Sequence, residues 1–128
     1  MTTIKDALND LLINHDLPLA ETVDRHFSPT YRQRTNGSWD DRDRFIAHIA
    51  HLRDIVERAT ITVLEELAAG HLYAERHIVD LIKHDGTQVV QEVYVFRDRN
   101  PDGRFTRIEE TTLTLEGSEA DRSLANAR

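Results

Sequence analysis

The spacing of apolar residues changes from helical to alternating about halfway along the chain. Ile4, Leu8, Leu11 and His15 recur at helical intervals with Leu12 beside them, which predicts an amphipathic first helix. Asp16-Leu17-Pro18 interrupts it, and Pro18 suits the first turn of a second helix. On that helix Leu19, Val23 and Phe27 share one face, with His26 at its edge, and Ser28-Pro29 ends it. Tyr31 to Arg34 reads as a short extended piece, followed by a loop from Thr35 to Trp39 around Asn36-Gly37. The clearest stripe is Phe45, Ile49, Leu52 and Val56, a third helix. Asp40, Asp41 and Asp43 gather at its start, where the helix dipole favours negative charge.

From Thr60 the pattern has a period of two. Thr60–Leu64 opens a sheet, and three further strands follow at Tyr73–Lys83, Gln88–Arg97 and Arg104–Leu115. Asp85-Gly86 turns the first of these into the second, and Asn100-Pro101-Asp102-Gly103 the second into the third. The order is three helices and then a four-strand antiparallel meander, with Tyr31–Arg34 as a candidate extra strand. This is an α+β chain with helices packed on one face of a curved sheet. Residues 1–116 form one domain, and the small, polar residues 117–128 are expected to be a mobile tail.

If Asp85-Gly86 is a two-residue hairpin turn, His84 pairs with Thr87 and the register follows. His77 then lies opposite Tyr94, and Val79 opposite Glu92. One face carries Glu75, His77, Val79, Glu92, Tyr94 and Phe96, with Ile108, Glu110 and Thr112 from the last strand. Arg76, Ile78 and Asp80 go to the other face with Val89, Gln91, Val93 and Val95. A face that mixes aromatic, aliphatic and ionisable groups suits a pocket wall better than a core. The candidate chemistry is a row of His77, Tyr94 and Glu110 across three strands. A carboxylate in an apolar pocket is raised in pKa and an imidazole titrates near neutrality. The pair can move a proton on a bound carbonyl compound, with Tyr94 stabilising the enolate oxygen. The alternative is a buried polar network that only fixes the sheet. Tyr31, Arg34, Trp39, Phe45 and His48 are candidates for the rest of the pocket.

Charge and composition narrow the partners. A net charge of −7 over 128 residues leaves no basic surplus for nucleic acid. The chain has no cysteine, so disulfides and thiolate chemistry are excluded. No apolar run approaches the roughly 20 residues that span a bilayer. With no signal-peptide pattern at the start, a cytoplasmic protein is expected. His48-x-x-His51 has helical spacing but no matching carboxylate, so neither a metal nor another cofactor is expected.

Several ordered segments carry a family resemblance. Phe27-Ser28-Pro29-Thr30-Tyr31-Arg32-Gln33, then Asp43-Arg44-Phe45-Ile46-Ala47-His48, then Val93-Tyr94-Val95-Phe96-Arg97 with Asp102-Gly103-Arg104-Phe105 and Ile108-Glu109-Glu110 follow one another in the chain. This set resembles the nuclear-transport-factor-2-like superfamily, in particular its SnoaL-like branch, over roughly Leu19 to Leu115. The resemblance implies a conical α+β fold with an apolar pocket, often dimeric through the outer sheet face. It also implies a range of roles, among them polyketide cyclase, ketosteroid isomerase, dehydratase, epoxide hydrolase, dioxygenase structural subunit and non-catalytic binding domain. Isomerase-like members place an Asp general base where Arg34 stands and a second acid where Tyr94 stands. Cyclase-like members place an acid on the last strand, as Glu110 does. Three readings follow: an acid–base enzyme on an apolar cyclic or polyketide-like molecule, a non-catalytic ligand-binding module, and a dimerising structural subunit.

Overall fold

The computed structural model describes residues 3–14 and 16–126. His15, placed by the apolar spacing at the end of the first stripe, lies outside them. Helix α1 spans Ile4–Leu12, with Thr3 Oγ1 accepting the Asp6 N–H at 3.0 Å as its N-cap. Helix α2, Leu19–His26, follows Pro18. Helix α3, Arg42–Ile55, starts on Asp41, whose carboxylate accepts the Arg44 N–H at 2.9 Å. Phe45, Ile49 and Leu52 are buried along the expected stripe of α3, and His48 is buried with them.

The sheet has six strands where the alternating pattern predicts four with a candidate fifth. They are β1 (Phe27–Thr35), β2 (Ser38–Asp41), β3 (Val56–Ala69), β4 (Leu72–Lys83), β5 (Gln88–Arg99) and β6 (Phe105–Glu116). Their order is β2-β1-β6-β5-β4-β3, antiparallel throughout except where β1 runs parallel to β6. The additions come from β1 and β2. Phe27, expected on α2, is instead the first residue of β1 and pairs with Phe105. Its ring sits 4.5 Å from Tyr31, 4.8 Å from Phe45 and 5.4 Å from Phe105, and this aromatic cluster draws the chain into the sheet where α2 stops. Asn36 and Gly37 both have positive φ, 51° and 90°, so the expected loop is a two-residue hairpin turn between β1 and β2.

The second departure is register. Asp85-Gly86 does not make a two-residue turn. Lys83 and Thr87 bracket a three-residue loop, with the Lys83 N–H bonded to Thr87 O and the Gly86 N–H to Lys83 O, both at 2.9 Å. Two contacts hold it. The His84 N–H leaves the ladder for Ile55 O at 3.0 Å, and Asp85 Oδ1 accepts from Thr87 N–H and Oγ1–H at 2.9 and 2.6 Å. His77 therefore pairs with Val93, Arg76 with Tyr94 and Ile78 with Glu92. Because side chains alternate along a strand, this one-residue shift exchanges the two faces of β5. Val89, Gln91, Val93 and Val95 are buried against the helices, and Glu92, Tyr94 and Phe96 point away from them.

Bulges at Leu64 on β3 and at Leu115 on β6, opposite Val90 and Gln91, add local twist and bend to the sheet. The helices close over its inner face. Beyond β6, where a mobile polar tail is expected, the chain folds into a 3₁₀ helix over Glu119–Asn126 that buries Leu124. An apolar residue with room under the helices is the physical reason the tail docks. Among the described residues no helix is long and apolar enough to cross a membrane.

Candidate functional site

The hollow between sheet and helices encloses a cavity of about 100 Å³. Val93 and Val95 form its floor. Leu11 and Leu12 of α1, with Phe45 and Leu52 of α3, form its roof, and Leu124 and Ala125 close one side. The lining is predominantly apolar, and its polar groups are few: His48, His77, Gln33, Gln91, Glu110 and Thr112.

The sheet ladders explain how His77 and Glu110 come to face the same space. His77, Val93 and Thr112 form one cross-strand row, and Glu75, Val95 and Glu110 the next. The backbones of β4 and β6 are two strand spacings apart, about 9.6 Å. The two polar side chains thus flank a valine floor with no polar residue between them on β5.

His77 is 1% exposed. Its Nδ1 lies 2.6 Å from Glu75 Oε2, and Glu75 is equally buried. That contact assigns the proton of the neutral imidazole to Nδ1 and leaves Nε2 as an acceptor. Glu75 is itself held from behind: Tyr73 O–H reaches its Oε1 at 3.0 Å while also reaching Glu66 Oε2 at 2.6 Å. The Arg97 guanidinium lies over the Tyr73 ring at 4.4 Å. Between two carboxylates and desolvated by burial, the Tyr73 hydroxyl is held well above its usual pKa and stays a donor.

Glu110 has a different surrounding. Gln33 Nε2 donates to its Oε1 at 3.1 Å and Thr35 Oγ1 does so at 3.3 Å. Gln33 is fixed in turn by Tyr31 O–H at 2.6 Å on its Oε1 and donates to Thr35 Oγ1 at 2.9 Å. Desolvation raises the Glu110 pKa above the usual 4.5, opposed only in part by the Thr35 hydrogen bond and, when its imidazole is protonated, by His77. With both donors on Oε1, a proton taken up by Glu110 goes to Oε2, where it can be given to a ligand.

Of the thirteen residues singled out from the sequence, seven line this cavity: His77, Glu110, Phe45, His48, Val79, Ile108 and Thr112. Three are on the opposite sheet face because of the register shift. Tyr94 O–H donates to Glu92 Oε1 at 2.7 Å, Glu92 is also bound by Arg76, and Phe96 is 64% exposed. Tyr94 therefore stands away from His77 and Glu110 and cannot bridge them. Arg34 and Trp39 face solvent, Trp39 stacking under the Arg32 guanidinium at 4.7 Å. Their positions on β1 and β2 alternate with the buried ones, so the hairpin turns both outward. Tyr31 is fully buried between Phe27 and Phe45 and reaches the site only through Gln33. The sequence reading places Glu75 on the face of His77 but gives it no role, and it passes over Gln33 and Thr35. The signal for all three was the i, i+2 spacing: Glu75-x-His77 on β4 and Tyr31-x-Gln33-x-Thr35 on β1.

No protein-family model matches the chain. It is 33% identical over 108 residues to an uncharacterised protein of Schizosaccharomyces pombe, covering 84% of this chain and 82% of that one. Solved structures share the fold at lower identity. A Shewanella denitrificans protein described as a SnoaL-like polyketide cyclase superposes with TM-score 0.69 at 12% identity, covering 84% of this chain and 85% of its own. An M. tuberculosis epoxide hydrolase, LEH-like, gives 0.66 at 19%, covering 84% and 78%. An NTF2-like protein of unknown function from Burkholderia pseudomallei gives 0.60 at 14%, covering 80% and 81%.

Proposed function

We propose that the chain, which has the fold of NTF2-like and SnoaL-like solved structures, is a member of that superfamily, and that it binds a small apolar carbonyl compound and moves a proton on it. The observation that carries this reading is the pair of unlike polar groups across an apolar floor. His77 Nε2 is the base, held in its tautomer by Glu75, and Glu110 is the acid, its pKa raised by burial. A ligand over Val93 and Val95 presents its carbonyl oxygen to Glu110 Oε2 and its acidic C–H to His77. The proton taken by Nε2 forms an imidazolium that Glu75 stabilises, and the hydrogen bond from Glu110 strengthens as charge builds on the oxygen. The solved structures described as cyclase and hydrolase make small-molecule chemistry familiar in this fold, but they do not choose the substrate.

Enolisation can be tested without knowing that substrate. In D₂O the native protein should exchange the α-protons of a cyclic ketone such as cyclohexanone faster than buffer does. His77→Ala and Glu110→Gln should each lower this acceleration at least tenfold. A ketone that binds native protein and Glu110→Gln equally, with no exchange in either, would instead identify a non-catalytic carrier.

The outer sheet face favours a second copy as partner. Leu67, Phe96, Leu113 and Leu115 are 77%, 64%, 54% and 53% exposed, while Arg76 lies among them between Glu65 and Glu92. Apolar residues around a mixed-sign centre suit self-association about a twofold axis. Sedimentation equilibrium of native protein and Phe96→Ser tests this. A dimer weakened by the substitution is expected, and a native monomer at high concentration would refute it.

A further inference from the structure

One wall of the cavity is held quite differently from the rest. Helix α1 inserts Ile4, Ala7, Leu8, Leu11 and Leu12, and its C-terminal carbonyls are bound by Arg53, from Nε to Leu11 O at 2.6 Å and from Nη2 to Asp10 O at 3.2 Å. Asp10 also meets His26 Nε2 at 2.6 Å, which ties α1 to α2. The C-terminal segment inserts only Leu124 and Ala125. The described hydrogen bonds of this segment converge on Asp121. Lys83 Nζ donates to Asp121 Oδ1 at 2.6 Å, and Ser118 N–H and Oγ–H donate to Oδ2 at 2.9 and 3.0 Å. Gln91, which lines the cavity, donates to the Asp121 carbonyl at 3.3 Å.

Gly117 makes this latch possible. Its φ is +141°, and a Cβ there would lie 3.1 Å from Asp121 Oδ2 and 3.2 Å from Asp121 Cβ. The chain therefore bends at a residue without a side chain, directly against the carboxylate that fastens the segment. Cavity size adds an independent argument. Sites for drug-sized ligands run to about 300–1,000 Å³, and this one encloses about 100 Å³. A polycyclic ligand needs a wall to yield, and the wall with the fewest apolar residues is the C-terminal one.

We propose that residues 117–126 form a gate in which Leu124 sets the size of ligand admitted and Asp121 is the latch that holds it shut. This rests on the reading of the cavity as a ligand pocket and adds what determines its specificity. With the gate closed the cavity takes a single-ring ketone. With it loosened, the space behind Leu124 joins the cavity and a fused bicyclic ketone fits.

The test uses the full chain as native protein, Leu124→Ala and Asp121→Asn. Cyclohexanone and 2-decalone are titrated while the methyl NMR signals of Val93 and Val95 are followed. The native protein should favour cyclohexanone. Leu124→Ala should strengthen 2-decalone binding at least tenfold while changing cyclohexanone less than threefold. Asp121→Asn should move selectivity the same way and speed amide exchange at residues 118–125 at least tenfold, with exchange in β4 and β5 unchanged. Ketone binding with the same selectivity in all three proteins would overturn the gate and leave the pocket standing. Unchanged amide exchange in Asp121→Asn would overturn the latch. If neither ketone shifts Val93 or Val95 in any form, the pocket reading falls and the gate with it.

Discussion

Glu92 and Glu110 stand on neighbouring strands of one sheet, and the protein treats them in opposite ways. Glu92, on the outer face, accepts from Tyr94 and Arg76, and these donors hold its pKa below the usual value. Glu110, on the inner face, accepts from two neutral donors, and burial pushes its pKa up. Each face also pairs a carboxylate with an aromatic or basic neighbour. Outside, Arg76 joins Glu65 and Glu92 in a solvated cluster. Inside, Glu75 and His77 form a dry pair. The side chains are of the same kinds, so composition does not separate the faces. Access to water does: a carboxylate bound by a tyrosine hydroxyl and an arginine beside solvent is stabilised as an anion, and one desolvated with only neutral donors is stabilised less.

The sharpest way to break this comparison is to put the same charge on each face. Val93→Asp places an unpaired carboxylate on the cavity floor, and we expect a loss of about 4 kcal/mol or more in urea unfolding. Tyr94→Asp, one residue away on the outer face, should cost far less. Similar losses would mean that the faces are not distinct.

The polar pairs should differ next. Glu75→Leu leaves the buried His77 Nδ1–H without its acceptor, and a loss of about 2 kcal/mol is expected. The ¹⁵N shifts of His77 should show Nδ1–H in the native protein and a redistributed tautomer in the variant. Arg76→Leu removes a solvated pair and should cost far less than Glu75→Leu does.

The two glutamates should also respond to pH with opposite signs. For Glu110, folding raises the pKa above about 4.5, so the folded state holds more protons between the unfolded and folded values. Its contribution is fully present below the unfolded value and is lost as pH rises through the folded one. Glu110→Gln escapes that loss and should gain on the native protein through this window. For Glu92 the pKa is lowered, so its contribution is present above the unfolded value and lost as pH falls through the folded one. Glu92→Gln should therefore approach native stability on acidification. Stability curves from pH 2.5 to 8 measure both.

The smallest effect belongs to the outer apolar positions. Leu113→Ser should change unfolding of the isolated monomer by about 0.5 kcal/mol or less, because Leu113 is already half in water. A much larger monomer effect would show that something intramolecular covers this face.

Much of this architecture was legible in the chain itself. The stripe from Phe45 makes α3 as far as Leu52, while Val56, expected on it, opens β3; Asp41 starts the helix, and β4, β5 and β6 lie within two residues of their expected ends. Local chemistry is enough for these features: helical and alternating periods, capping oxygens and turn residues act between near neighbours. His77 and Glu110 were placed on the cavity side by the same alternation, since each strand carries its own period. Tyr94 was misplaced because the relation between two strands depends on the loop that joins them. That three-residue loop is held by the Asp85–Thr87 bonds within it and by the His84 N–H bond to Ile55 O, at the distant end of α3. The docking of Leu124 under the helices and the approach of Gln33 and Thr35 to Glu110 are also long-range events. The sequence by itself determined which strands exist and which residues alternate along each one. Only the tertiary structure decided which face of β5 looks inward, because the burial of Val89, Val93 and Val95 against the helices and the bond from His84 N–H to Ile55 O both act between segments far apart in the chain.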